Sequence, residues 1–163
     1  MRYFRKAADL GSPDGQFYLA EKLFPIDAAP EVALPMYLCS ADQGHGKAAF
    51  ELGIVRSAEK FYAEAVTAFQ QGVMAGNSLA AFALQNGFES PPPDDRPNYL
   101  RLPNDPERSR GNKLIGKFLD ANVGLNPKVL DIDQIVPLPP AKLPEWDGNR
   151  RSMEIDSVAP LPV

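Results

Sequence analysis

At 163 residues the chain has room for one domain of ordinary size with an appendage, and too little for two large ones. Its 17 Lys and Arg against 21 Asp and Glu leave a net charge of −4, without the broad positive field that binders of nucleic acid or anionic membranes use. No apolar run approaches the roughly 18–20 residues of a membrane span, the first residues lack the apolar core of a signal peptide, and the one cysteine, Cys39, can form no disulfide within the chain.

The first half repeats itself. The segments AADLGSPDGQFYLAEKL from Ala7, SADQGHGKAAFELGIVR from Ser40 and GVMAGNSLAAFALQNGF from Gly72 align without gaps. Counting from Gly11, Gly44 and Gly76, a tiny residue stands at the fourth place (Gly15, Ala48, Ala80), a phenylalanine at the sixth (Phe17, Phe50, Phe82) and a leucine at the eighth (Leu19, Leu52, Leu84). An aromatic, Phe4, Tyr37 or Phe69, stands seven places before each glycine. A period of 33 and then 32 residues marks a helical-hairpin solenoid, whose units bury their apolar faces only against one another. The glycine serves a left-handed chain reversal, the tiny residue a close helix approach, and the Phe and Leu supply buried area. Ser12 with Pro13, and Asn77 before Ser78, read as helix starts. First helices are therefore expected near 13–23, 46–57 and 78–87, and second helices near 30–43 and 60–75. Tyr3, Phe4, Ala7 and Ala8 fit the end of a second helix whose partner is missing, so the start is expected to be internal to a longer stack.

Composition changes after residue 88: residues 89–163 hold thirteen of the 17 prolines. Proline removes an amide donor and clashes with the preceding helical turn, which confines helix here to a proline-free window near 107–122. Leu114, Ile115, Phe118 and Leu119 give that helix an apolar stripe that covers the third repeat. The rest is expected to run as a stiff strap over the stack, with Pro137-Leu-Pro-Pro140 in polyproline II and Leu138, Leu143 and Trp146 as anchors. The chain thus divides into a repeat region, 1–88, and a proline-rich region, 89–163, within an all-α fold.

The pattern best seen in Ala41, Gly44, Ala48, Leu52 and Gly53, followed by Phe69 and Gly76, resembles Sel1-like repeats, relatives of the tetratricopeptide repeat. The first unit departs from it at Ala20 and the third at Gln85, with Val73 before it in place of the usual Ala. The stretch from Pro91 through PPPDDRPNYLRL, KLIGKFLDAN, NPKV and DIDQIVPLPPAKLPEWDG to Gly148 resembles a region that follows Sel1-like repeats in certain bacterial proteins. Those include immunity partners of type VI secreted toxins of the phospholipase D kind. The last fifteen residues, from Asn149, fall outside that likeness.

Motifs for chemistry fail on context. Gly44-His-Gly46-Lys-Ala-Ala49 has a dinucleotide-loop spacing, but the residues before it read as helix and its glycines already serve the repeat. His45 and Lys47 match the start of the phospholipase D signature, but its Asp place holds Leu52. One histidine and one cysteine make no zinc site, and Cys39 reads as buried packing rather than a nucleophile. Asp94-Asp95 and Asp131-x-Asp133 read as solvated loop charge. The basic run of Arg96, Arg101, Arg108, Arg110, Lys113 and Lys117 reads as a solvated face, since acids interleave with it.

No catalytic, cofactor or metal residues are assigned. The expected activity is protein binding through first-helix positions outside the aligned core, namely Gln16, Tyr18, Glu21, Glu51, Arg56 and Asn86, together with Trp146. The resemblance implies an immunity protein that neutralises a phospholipase D-type toxin; a general Sel1-type scaffold and, more distantly, a hydrolase are the competing readings. No nucleic-acid partner and no membrane span are expected. The expected compartment is the periplasm if Met1 lies inside a longer exported precursor, and the cytoplasm if the chain is complete.

Overall fold

A computed structural model describes residues 2–26 and 30–145. Those residues are all-helical: α1 (Arg2–Asp9), α2 (Pro13–Ile26), α3 (Pro30–Asp42), α4 (Gly46–Ala58), α5 (Tyr62–Met74), α6 (Ser78–Phe88), α7 (Pro106–Ala121), a 3-10 turn (Val123–Leu125) and α8 (Ile132–Ile135). The helix positions expected from the repeat agree to within a few residues at every end. Each helix from α1 to α6 packs on its successor, and α7 packs on α6.

The three glycine turns are built alike. Gly11, Gly44 and Gly76 all take positive φ, at 84°, 82° and 88°. In each, the glycine N–H donates to the carbonyl three residues back and the next N–H to the carbonyl five back, which satisfies the last carbonyls of the preceding helix. The next residue then caps the following helix. Ser12 Oγ accepts from Gly15 N–H at 3.2 Å, His45 Nδ1 from Ala48 N–H at 3.1 Å, and Asn77 Oδ1 from Ala80 N–H at 2.9 Å. Ser12 and Asn77 are familiar caps; His45 takes the same role with a ring nitrogen, which the sequence pattern does not announce.

Two apolar clusters form. One gathers Ala20, Ala33, Tyr37, Ala41, Ala48, Ala49, Leu52 and Ala68 from α2 to α5. The other joins α5 and α6 to the tail, with Phe69, Leu84, Phe88, Leu100, Ile115, Leu119, Val129, Ile132 and Val136 among its members. The change of composition at residue 88 is therefore no break in packing. The helix expected at 107–122 covers α6 as anticipated, with Ile115 and Leu119 buried and Phe118 partly so.

Several expectations are corrected. Phe82 is 57% exposed instead of buried. Its equivalent Phe17 is covered by the next unit, with its ring 4.5 Å from that of His45, and among the described residues no further repeat hairpin follows α6 to do the same. Leu114 is 40% exposed and lines a surface cleft, unlike its buried neighbour Ile115. Cys39 is exposed, not packed inside. Arg108 is only 7% exposed and does not belong to a solvated face. Leu138 and Leu143 do anchor the tail on the core, but the tail is not simply extended: it forms the 3-10 turn and α8. Pro137-Leu-Pro-Pro140 leaves polyproline II and turns, with Ala141 N–H donating to Leu138 C=O at 3.1 Å. The cause lies in Arg108, whose Nε donates to Pro137 C=O at 2.8 Å while Nη2 donates to Ala141 C=O, so one guanidinium grips both sides of the turn. Asp105 holds the same guanidinium from the other side.

Candidate functional site

The repeated turns place His45, Asn77 and the starts of α2, α4 and α6 along one edge of the molecule, where a groove of about 790 Å³ runs. Its apolar lining includes Phe4, Phe17, Tyr18, Leu79 and Val123. Tyr18 stacks on Phe4 with ring centroids 3.9 Å apart and planes 22° apart, so an exposed ring and a half-buried one form one wall. His45 is fully engaged: Nδ1 is the cap acceptor, which leaves the proton on Nε2, and Nε2 lies 3.2 Å from the Asp14 carboxylate. A base for Cys39 is therefore not available from this ring.

The floor of the groove is closed by the tail. Val129 N–H donates to Met74 C=O at 3.0 Å, and a Cβ on Gly76 would stand 2.1 Å from Pro127 C=O, so only glycine lets the tail cross this turn. That crossing carries Lys128 to the Gly44 turn, where its Nζ lies 3.9 Å from the place a Cβ would occupy.

The predicted binding residues do not form one patch. Tyr18 lines the groove. Glu21 accepts the hydroxyl hydrogen bond of buried Tyr37. Burial, and then that carboxylate, push the Tyr37 hydroxyl well above its usual range; burial, and then the charge of Glu21, push the Glu51 carboxyl up as well. Glu21, Tyr37 and Glu51 thus form a small acidic cluster where α2, α3 and α4 meet. Gln16 accepts from Gln43 Nε2 at 3.0 Å, across the same hairpin. Arg56 is held by Glu59 at 3.0 Å and Glu64 at 3.1 Å and lies over the Phe61 ring. Asn86 donates to Asn98 at 3.0 Å, which fastens α6 to the loop before α7. Trp146 lies outside the described residues.

A second cleft, of about 310 Å³, opens between α7 and α8, with Leu114, Ile135 and Leu143 in its lining. Among the described residues no cluster of three or more His, Cys, Asp or Glu is placed to hold a metal ion, and no helix is long and apolar enough to cross a membrane. Asp95 binds Asn98 and Asp133 binds Gln70, so each acidic pair has one member in a structural contact. Sequence reasoning missed three residues that shape these surfaces: His45 as a cap, Lys128 as a groove residue, and Arg108 as the clamp of the tail. A buried arginine sits in a charged stretch without any pattern to mark it, and Lys128 is brought to the groove only by a fold between residues far apart in sequence.

A family model described as a domain of unknown function (DUF6396) matches residues 80–163, just over half of the chain. The chain belongs to this family. The match begins within α6 and runs through the last fifteen residues, which the sequence reading left unassigned. The DUF6396 region thus includes the helix that α7 covers, in keeping with the shared core. Among solved structures, the fold is similar to that of immunity protein Pa5087 from Pseudomonas aeruginosa, with a TM-score of 0.72 and 25% identity over 85% of this chain and 51% of that one. It is equally similar to Pseudomonas aeruginosa 5086, at 26% identity and TM-score 0.72. Immunity protein PA5088 from the same organism shares the fold at 24% identity and TM-score 0.72. The chain spans about half the length of these structures. No curated protein matches it.

Proposed function

We propose that this chain acts as an immunity protein, or as the part of one that contacts its toxin, and that it works by binding and not by turnover. The observation that carries this reading is the similarity to an immunity protein across 85% of the chain at 25% identity. Further support comes from the three like-built turns, which fit a short solenoid of Sel1-like repeats whose surface residues are free to vary while the turn and core residues hold the fold. The sharper form of the proposal is a phospholipase D-type toxin delivered by type VI secretion and met in the periplasm. Tyr18, half-buried on Phe4 at the edge of the groove, is the contact residue we favour, because a ring already ordered in the free protein loses little entropy on binding.

The test is co-expression of the protein with a phospholipase D-type toxin directed to the periplasm. Protected cells and a complex on pull-down are expected, and Tyr18→Ala is expected to weaken that complex by roughly 1–4 kcal/mol with the fold intact. Unprotected cells with no complex would refute the immunity reading and favour a general scaffold.

A further inference from the structure

We infer that the groove along the glycine turns receives an extended, acidic segment of a protein partner, with carboxylates seated between apolar side chains. The inference rests on the protein-binding reading above and specifies its surface and the chemistry of the partner.

The charge pattern of the groove is opposite to that of the chain. The protein carries a net charge of −4, yet the groove is lined by two lysines, Lys47 from the first turn of α4 and Lys128 from the tail, against one carboxylate, Asp14. Asp14 is already set against His45. Neither lysine has an ion pair among the described residues, and both are exposed. The two lysines come from segments about eighty positions apart and both line the groove, because the tail crosses Gly76 and delivers the Lys128 ammonium to the Gly44 turn. The starts of α4 and α6 are capped by His45 and Asn77, so the positive character of the groove comes chiefly from the lysines. An acidic segment lying there would meet both cations.

The apolar lining fixes the rest of the occupant. Leu79 is 57% and Val123 78% exposed, and Phe4 and Tyr18 stand as a stacked pair in the same lining. Exposed apolar side chains in one groove with two cations suit a segment that carries both acidic and apolar residues. A groove about 790 Å³ in size that runs from the start of α2 past the Gly44 and Gly76 turns suits an extended segment better than a helix end or a compact ligand. Glu21 and Glu51 are outside the groove lining, and a basic partner segment placed in the groove would be repelled by Lys47 and Lys128 while an acidic one is not.

Two arms test this. In the first, the full chain and its Lys47→Glu/Lys128→Glu variant are each used to select from a phage-displayed library of random dodecapeptides. Peptides rich in Asp and Glu with interspersed aromatic or aliphatic residues are expected on the parent chain, and loss or reversal of the acidic preference is expected on the variant. The same selected sequences on both proteins, or no acidic enrichment on the parent, would overturn the inference. In the second arm the partner is a phospholipase D-type toxin, the partner class of the proposed function. A drop in affinity of ~10-fold or more on double charge reversal is expected, with a weaker salt dependence, while Arg56→Ala changes salt dependence little. Unchanged binding by the double variant would sink the groove while leaving the immunity reading in place. Absence of binding by the parent chain would count against the immunity reading alone, with the peptide selection deciding the groove. Melting temperature and circular dichroism establish that the exposed substitutions leave the fold unaltered.

Discussion

Between α2 and α5 the buried side chains are mostly alanines gathered around Tyr37, whereas between α5 and α8 they are Phe69, Leu84, Phe88, Ile132 and Val129. Small residues bring helices close but release little apolar area from water, and large ones interlock and release much more. At the N-terminal end Tyr3 is 86% and Leu10 78% exposed, while the other end is wrapped by a tail that Arg108 holds in place. The difference teaches that the larger apolar side chains are packed on the DUF6396 side, and that the repeat side is held by a core of small residues.

Matched substitutions give the hardest test of that contrast. Leu84 and Leu52 occupy the same place in successive repeats, but Leu84 is wholly buried and Leu52 lines a surface hollow beside Arg56. Leu84→Ala is expected to cost about 4–5 kcal/mol and Leu52→Ala about 2–3 kcal/mol, because a cavity near the surface collapses or hydrates more easily. Equal losses in urea unfolding would break the comparison.

Arg108→Ala should come next, at about 2–4 kcal/mol, since it strands the carbonyls of Pro137 and Ala141. Arg108→Lys is expected to recover only part of this, as one ammonium cannot span both carbonyls and Asp105. Faster amide exchange confined to residues 132–141 would locate the damage in the tail.

The glycine turns should then separate by what crosses them. Gly44→Ala meets nothing closer than Lys128 Nζ at 3.9 Å, an ordinary contact, and is expected to cost about 1–2 kcal/mol for its positive φ alone. Gly76→Ala adds a collision with Pro127, so its cost should be about 1 kcal/mol larger, with Lys128 displaced from the groove. Similar losses at both turns would mean that the tail does not rest on the third one.

The smallest effects concern pH, and they have opposite signs in the two regions. Burial pushes the Asp105 carboxyl up, but the N–H and guanidinium of Arg108, and the N–H of Glu107, outweigh it and hold the carboxyl below its ordinary value of 3.8. A lowered folded value contributes stability that is present above the unfolded value and is lost as pH falls through the folded one. Glu51 is raised above its ordinary 4.5 by burial and by Glu21, so the folded state binds the extra proton and stability declines as pH rises through that window. Asp105→Asn should therefore lower stability at neutral pH and flatten the acid limb, and Glu51→Gln should raise it slightly. Melting temperatures measured from acid to neutral pH would reveal both slopes, and matching signs would refute the assignment.

The sequence by itself determined what depends on neighbours along the chain. The period of 33 and 32 residues, the three left-handed glycines and the caps at Ser12 and Asn77 are local requirements of a helical hairpin, so they are written into adjacent residues and the helices fall where they predict. The proline-free window likewise marked α7, because proline acts on its own helical turn. Only the tertiary structure decided which side chains meet across long separations. Arg108 looks like its charged neighbours until the carbonyls of Pro137 and Ala141 are folded onto it, and Phe82 looks like Phe17 until, among the described residues, no further repeat hairpin arrives to cover it. Gln16, Glu21, Arg56 and Asn86 read as free surface along a helix, yet each finds a partner from another segment. The groove has the same origin: Lys47 and Lys128 both line it because Gly76 alone among the three turns lets the tail lie against its backbone, a contact between distant segments that no local pattern encodes.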